Sequence, residues 1–191
     1  TYTEDLNDLN AENLALYDAL MIYANWNEIE SSQEKALLDF VASGKGFLPL
    51  HCASYCFRNS EEYVKMVGGQ FWRHTMDSVT TITTDATHEI MRGLNPFTAY
   101  DETYLHTKLQ PDNHILAERE IKSDQFSDKP DVKTEPYTWT RTYGKGKVFY
   151  TAYGHDDRTW SKKGFQDLIY NAILWSVDAE ALRAFKARNP K

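Results

Sequence analysis

Along the first half of the chain, apolar runs of strand length alternate with segments whose apolar residues repeat at helical spacing. Ala19-Leu20-Met21-Ile22-Tyr23-Ala24 is a continuous apolar run, the pattern of a strand buried on both faces of a parallel sheet. Ser31 and Glu34 then stand at capping-box spacing ahead of Ala36, Leu37, Phe40 and Val41, one apolar helical face that stops at Gly44. Gly46 to Leu50 reads as a second buried strand, so strand, helix and strand follow one another as in a βαβ crossover. After His51-Cys52-Ala53 a helix is predicted over Ser60 to Val67, closed by Gly68-Gly69.

Beyond it, Val79 to Thr84 is rich in β-branched residues and predicts a strand, and His88 to Arg92 predicts one helical turn ending at Gly93. Tyr100 to Leu105 and His114 to Glu118 read as extended pieces, and the polar stretch from Glu120 to Glu135 as an exposed loop. Tyr137 to Tyr143 and Lys147 to Tyr153 flank Gly144-Lys145-Gly146, which predicts a β-hairpin. Phe165, Leu168, Ile169, Ala172 and Ile173 repeat at helical spacing, and a second amphipathic piece runs from Ala179 to Ala187. The opening, Thr1 to Asn10, reads as a short extended piece and an acidic loop. There is no internal repeat and no low-complexity segment.

Composition narrows the picture. With 191 residues and 41% hydrophobic content, residues 1–191 make a single α/β domain the expectation. A net charge of -7 speaks against nucleic acid or an anionic membrane as partner and favours a small neutral or cationic ligand. No apolar run approaches the roughly 18 residues of a membrane helix. The cysteines, Cys52 and Cys56, lie too close in sequence to staple distant parts of the fold, which points to a reduced, cytoplasmic setting.

Three strand ends carry the chemistry. In open α/β sheets ligands bind beyond the carboxyl ends of the strands, and His51-Cys52 stands at such an end. Cys52 on a strand-to-helix turn is a candidate nucleophile; the alternative is a small buried residue at a tight corner. Asp101-Glu102, with Tyr104 and His106 nearby, supplies carboxylates suited to a divalent cation or to acid–base work. Gly154-His155-Asp156-Asp157 again puts a histidine after an apolar strand. His51, Glu102 and His155 together would make a two-histidine, one-carboxylate metal site, zinc being one fitting ion. Trp139, Arg141 and Tyr143 alternate along a strand and could face a sugar, and His74 could line the same cleft. His88 and His114 read as structural. Gly144-Lys145-Gly146-Lys147 lies between strands rather than before a helix, so it is read as a turn, and no nucleotide cofactor is expected.

An ordered series of segments resembles the trehalose-utilisation (ThuA-like) family. It runs through Ala11-Glu12-Asn13-Leu14, Leu50-His51-Cys52-Ala53-Ser54-Tyr55, Val67-Gly68-Gly69-Gln70-Phe71, Tyr100-Asp101-Glu102-Thr103-Tyr104, Tyr143-Gly144-Lys145-Gly146-Lys147 and Gly154-His155. The resemblance implies a three-layer, flavodoxin-like and mostly parallel sheet related to class I glutamine amidotransferases, and a link to carbohydrate metabolism. The amidotransferase pattern departs at Leu50-His51-Cys52-Ala53-Ser54, which lacks flanking glycines, and no downstream His-x-Glu pair follows. The family fold also begins with a strand and helix that have no counterpart here, so a preceding segment or a homo-oligomer is expected to complete the sheet. The functional expectation is a sugar-binding domain acting as a metal-assisted hydrolase or isomerase, with catalytic residues among His51, Cys52, Glu102 and His155. The rivals are a Cys52-dependent hydrolase and a non-catalytic sugar-binding module.

Overall fold

The computed structural model describes residues 1–122 and 132–188, so the centre of the polar stretch from Glu120 to Glu135 lies outside the described residues. The opening departs from the extended expectation. A 3-10 turn over Leu6–Asp8 and helix α1 (Ala11–Leu14) form there because Asp5 and Asn10 cap them, accepting from Asn7 N and Asn13 N.

Strand β1 (Ala19–Ile22), helix α2 (Ser31–Ala42) and strand β2 (Gly46–Pro49) make the predicted βαβ unit, with Ala19 opposite Gly46 and Ile22 opposite Pro49. The cap of α2 sits one residue earlier than the Ser31/Glu34 spacing suggests: Glu30 is the N-cap, and its N–H donates to the Gln33 side chain at 3.1 Å. Glu34 instead accepts from the hydroxyl of Ser60, which caps α3 (Glu61–Val67). β1 is also less buried than a both-face pattern implies, because it is the edge strand; Met21 is 39% exposed.

The remaining strands are β3 (Gln70–Arg73), β4 (Met76–Thr80), β5 (Ile82–Thr83), β6 (Thr98–Glu102), β7 (Leu105–Thr107), β8 (His114–Glu120), β9 (Thr134–Tyr143) and β10 (Gly146–Thr151). The main sheet has the order β1-β2-β10-β9-β8-β5. Parallel pairing is confined to β1-β2-β10, and β9, β8 and β5 add antiparallel neighbours, so the sheet is mixed. The single strand expected over Val79 to Thr84 is split, since β4 pairs with β6 whereas β5 joins β8. The extended piece from Tyr100 to Leu105 divides likewise between β6 and β7, the latter paired with β3. His88 to Arg92 closes as turns on the His88 carbonyl, not as a helix.

The β9–β10 hairpin forms where Gly144-Lys145 turns the chain. A Cβ on Gly146 would lie 2.1 Å from the Val41 carbonyl, and Gly144 has φ +58, so the end of α2 packs against a turn that only glycine fits. Lys147, the next residue along β10, reaches the Trp175 carbonyl of helix α5 (Lys163–Ser176). Alternate residues of a strand point to opposite faces, so α2 and α5 lie on opposite sides of β10. The core between them holds Phe47, Phe149, Tyr150, Trp139 and Phe165, all fully buried. Helix α4 (Asp157–Trp160) precedes α5, and α6 (Ala179–Arg188) follows it with no buried residue. Among the described residues no helix is long and apolar enough to cross a membrane.

Leu50 and Thr151 form an isolated parallel bridge. It holds the exits of β2 and β10 side by side, with His51 following one and Gly154-His155 the other.

Candidate functional site

His51 takes a left-handed backbone, φ +48, in the turn after β2. A non-glycine residue there carries strain of order 1–3 kcal/mol, and the surroundings hold it. Its carbonyl accepts from the Ser54 and Tyr150 hydroxyls, both at 3.1 Å. Its Nδ1 lies 2.7 Å from the Ala152 carbonyl. A carbonyl only accepts, so Nδ1 carries the proton and Nε2 is the ring's free electron pair whenever the imidazole is neutral. The Tyr104 ring stacks on the imidazole at 4.5 Å and 27°, and its hydroxyl lies 3.1 Å from Nε2.

Glu102, at the end of β6, meets that nitrogen. Its Oε2 is 3.2 Å from His51 Nε2, while its Oε1 is 3.3 Å from His155 Nδ1 and 3.4 Å from His74 Nδ1. His51 and Glu102 are largely enclosed, whereas His155 and His74 each keep 38% of the side chain in solvent and form the mouth. Burial alone would raise the Glu102 carboxyl. When the His51 ring is protonated its Nε2–H donates to the carboxylate, and this bond and the neighbouring His74 and His155 imidazoles outweigh burial and hold the group below its ordinary range.

His155 is placed by the residue beside Glu102. Asp101 is fully buried, and its carboxylate accepts from Gly154 N at 2.9 Å, His155 N at 3.2 Å and the Thr159 hydroxyl at 2.6 Å. Gly154, at φ +134, lets the loop pass close to His51. Alternation along β6 thus sends Glu102 to the cleft and Asp101 beneath it. The expectation that Asp101 touches a ligand is replaced by a positioning role, since no part of it reaches solvent.

The donor atoms of His51, Glu102 and His155 all lie within 4.8 Å of one another. Two imidazole nitrogens and a carboxylate oxygen suit zinc or a similar divalent ion, whose ligands at bonds of about 2.1 Å sit about 3.4 Å apart. The donor set, its spacing and the Nδ1-locked tautomer of His51 fit such an ion.

Cys52 is half-buried, and burial pushes its thiol up to about 11. Both nitrogens of the adjacent His51 are engaged elsewhere, so that imidazole does not activate the thiol. Cys56 donates to the Ala24 carbonyl and is pushed up to about 12.

Trp139, Arg141 and Tyr143 do not join the cleft. β9 is an interior strand covered on both faces, so its alternation does not expose one side. Trp139 is fully buried, stacks on Tyr150 at 4.2 Å and donates to the Val67 carbonyl. Arg141 pairs with Asp112, and Tyr143 sits near Glu62 at the hairpin end. Two aromatics that sequence reasoning passed over do border the site: Tyr23 and Trp160 both donate to the Gly154 carbonyl, at 2.7 and 2.9 Å. Tyr23 stands at the carboxyl end of β1, a position that could have marked it.

The fold and cleft define an α/β domain with its polar centre at the strand exits. The sequence matches the ThuA family model, described as trehalose utilisation, over residues 1–176, and the chain belongs to that family. Among solved structures it is similar to a putative ThuA-like protein from Bacteroides uniformis, at 22% identity and a TM-score of 0.75, covering 93% of this chain and 76% of that one. A second putative ThuA-like protein, from Parabacteroides merdae, has 18% identity and a TM-score of 0.75 over 91% and 74% of the two chains. A protein from Salmonella typhimurium described as cytoplasmic has 18% identity and a TM-score of 0.61, over 92% and 75%. A comparison with curated protein sequences finds no match.

Proposed function

We propose that this domain binds a sugar or sugar derivative at the strand-exit cleft and transforms it with the help of a divalent cation held by His51, Glu102 and His155, as a hydrolase or isomerase. The family's description, trehalose utilisation, supports the carbohydrate link. The mixed sheet with helices on both sides is read as the three-layer, flavodoxin-like core of that family, and the setting as cytoplasmic, as the Salmonella relative is described.

The single observation that carries the metal reading is the grouping of the three donors, with Nδ1 of His51 tied to a backbone carbonyl so that Nε2 faces Glu102. A bound divalent ion would supply Lewis-acid polarisation of a substrate oxygen. The protein's own groups do the rest. Enclosed His51 and Glu102 would form the fixed floor of the ligand set, and half-open His155 would complete it at the mouth, where a substrate enters. Burial raises the Tyr104 hydroxyl well above its ordinary range, so it stays protonated and serves as a hydrogen-bond donor. The thiol of Cys52, raised by burial, is a bystander in this account.

The test is to incubate the protein with trehalose and related neutral glycosides, with zinc supplied and with a chelator present, and to follow products by chromatography. Turnover that needs the metal and is lost in His155→Ala supports the reading. Turnover abolished by Cys52→Ala and indifferent to chelator would favour the thiol. Sugar binding with no turnover under either condition would make this a binding module.

A further inference from the structure

Outside His155 the surface falls into an open depression of about 560 Å³, lined by Tyr23, His155, Asp156, Asp157, Arg158 and Trp160. That volume lies within the range of about 300–1,000 Å³ of ordinary small-molecule sites. His155 belongs to both places, with Nδ1 turned to Glu102 and its ring bordering the depression. A ligand that reaches Glu102 past His155 therefore has this depression beside it.

Its lining is specific. Tyr23 is 44% exposed, and its ring meets that of Trp160 edge to face at 5.5 Å. Both rings are pinned through the Gly154 carbonyl, so they are set before any ligand arrives and cost little ordering entropy on binding. Such faces accept the apolar C–H side of a ring, and carboxylates at the rim accept its hydroxyls. Arg158 is paired with Asp156 at the rim, which leaves the Asp157 charge as the local excess and disfavours an anionic ligand.

We propose that this depression is a subsite for a second, neutral polyhydroxylated ring, so that the site reads glycosides of two rings in preference to single sugars or sugar phosphates. The inference rests on the sugar-binding reading above. Tyr23 supplies the stacking face, Trp160 backs it, and Asp157 takes ring hydroxyls.

Calorimetric titration with trehalose, glucose and glucose 6-phosphate tests it on wild type, Tyr23→Ala, Tyr23→Phe and His155→Ala. The expected result is that wild type binds trehalose about tenfold more tightly than glucose, and glucose 6-phosphate no better than glucose. Tyr23→Ala brings trehalose down to the affinity of glucose, and Tyr23→Phe, which keeps the ring, retains the preference. A thermal unfolding midpoint close to that of wild type shows that the variant is folded. The subsite is overturned if Tyr23→Ala keeps the trehalose preference, if it weakens both sugars equally, or if the phosphate ester binds best. If His155→Ala then still loses both sugars, the sugar-binding reading stands without the subsite. If wild type binds none of the three probes, both fall together.

Discussion

Among the described residues two largely enclosed histidine–carboxylate pairs have nearly equal distances and opposite character. His106 Nδ1 is 3.1 Å from Glu135 Oε1, and His51 Nε2 is 3.2 Å from Glu102 Oε2. The first pair is closed. Glu135 also accepts from the His106 backbone N–H, and His106 Nε2 meets the Tyr150 hydroxyl, so both ring nitrogens and the backbone N–H of His106 have partners inside the core. The second is open, because the far oxygen of Glu102 is offered to His155 and His74 at the surface. The same residue types close on one another where their partners are internal, and leave a valence at the cleft, as the proposed metal site requires, where one is not. The two are connected as well: the Tyr150 hydroxyl that ends the closed pair donates to the strained carbonyl of His51.

The contrast predicts different costs for comparable changes. Glu135→Ala breaks the closed pair and leaves buried donors unmet, which should cost about 3–5 kcal/mol and lower the midpoint of thermal unfolding markedly. Glu102→Gln should cost little stability, yet weaken divalent-ion affinity by more than about 100-fold, measured by competition with a chelating dye. A loss of stability matching that of Glu135→Ala, with metal affinity intact, would erase the distinction between the pairs.

Asp101→Asn tests the support beneath the open pair. An amide cannot accept from Gly154 N, His155 N and Thr159 Oγ1 as the carboxylate does. The 154–155 loop should shift, and metal affinity should fall by about 10–100-fold, the usual cost of losing a ligand's support. The smallest effect is expected at Cys52. Because burial pushes its thiol up to about 11, it is protonated at neutral pH, so alkylation should be slow at pH 7 and quicken as pH approaches 11. Cys52→Ala should leave metal binding unchanged.

The pH dependence of stability carries a sign. Glu102 is held below its ordinary range, so its contribution is full above the usual carboxyl range and is lost as pH falls through its lowered folded value. An acid-unfolding series should show this contribution in wild type and lack it in Glu102→Gln.

Much of the framework was legible in the sequence because burial imposes period. The apolar runs at Ala19 and Gly46, and the helical face between them, define a βαβ unit whose exits carry His51 and, through the second parallel partner, His155. Glu102 was legible as a carboxylate beside histidines. It was also named over Asp101 for the metal site; what the sequence did not reveal is that Asp101 lies buried beneath the cleft, since alternation along β6 gives the two opposite faces without saying what covers each. Trp139 misled for a related reason: an aromatic–polar alternation predicts one exposed face only when a strand has one, and β9 lies between β8 and β10 with both faces covered. Tyr23 and Trp160 stayed hidden because they meet at a single carbonyl, that of Gly154, from distant parts of the chain.

The most direct test of the central claim is metal content and zinc uptake, by elemental analysis and calorimetry, for wild type beside His51→Ala and His155→Ala. Wild type should take up the ion stoichiometrically, and the loss of either imidazole should abolish tight binding while the fold survives. Wild-type protein that takes up no divalent ion, or variants that bind it as tightly as wild type, would contradict it.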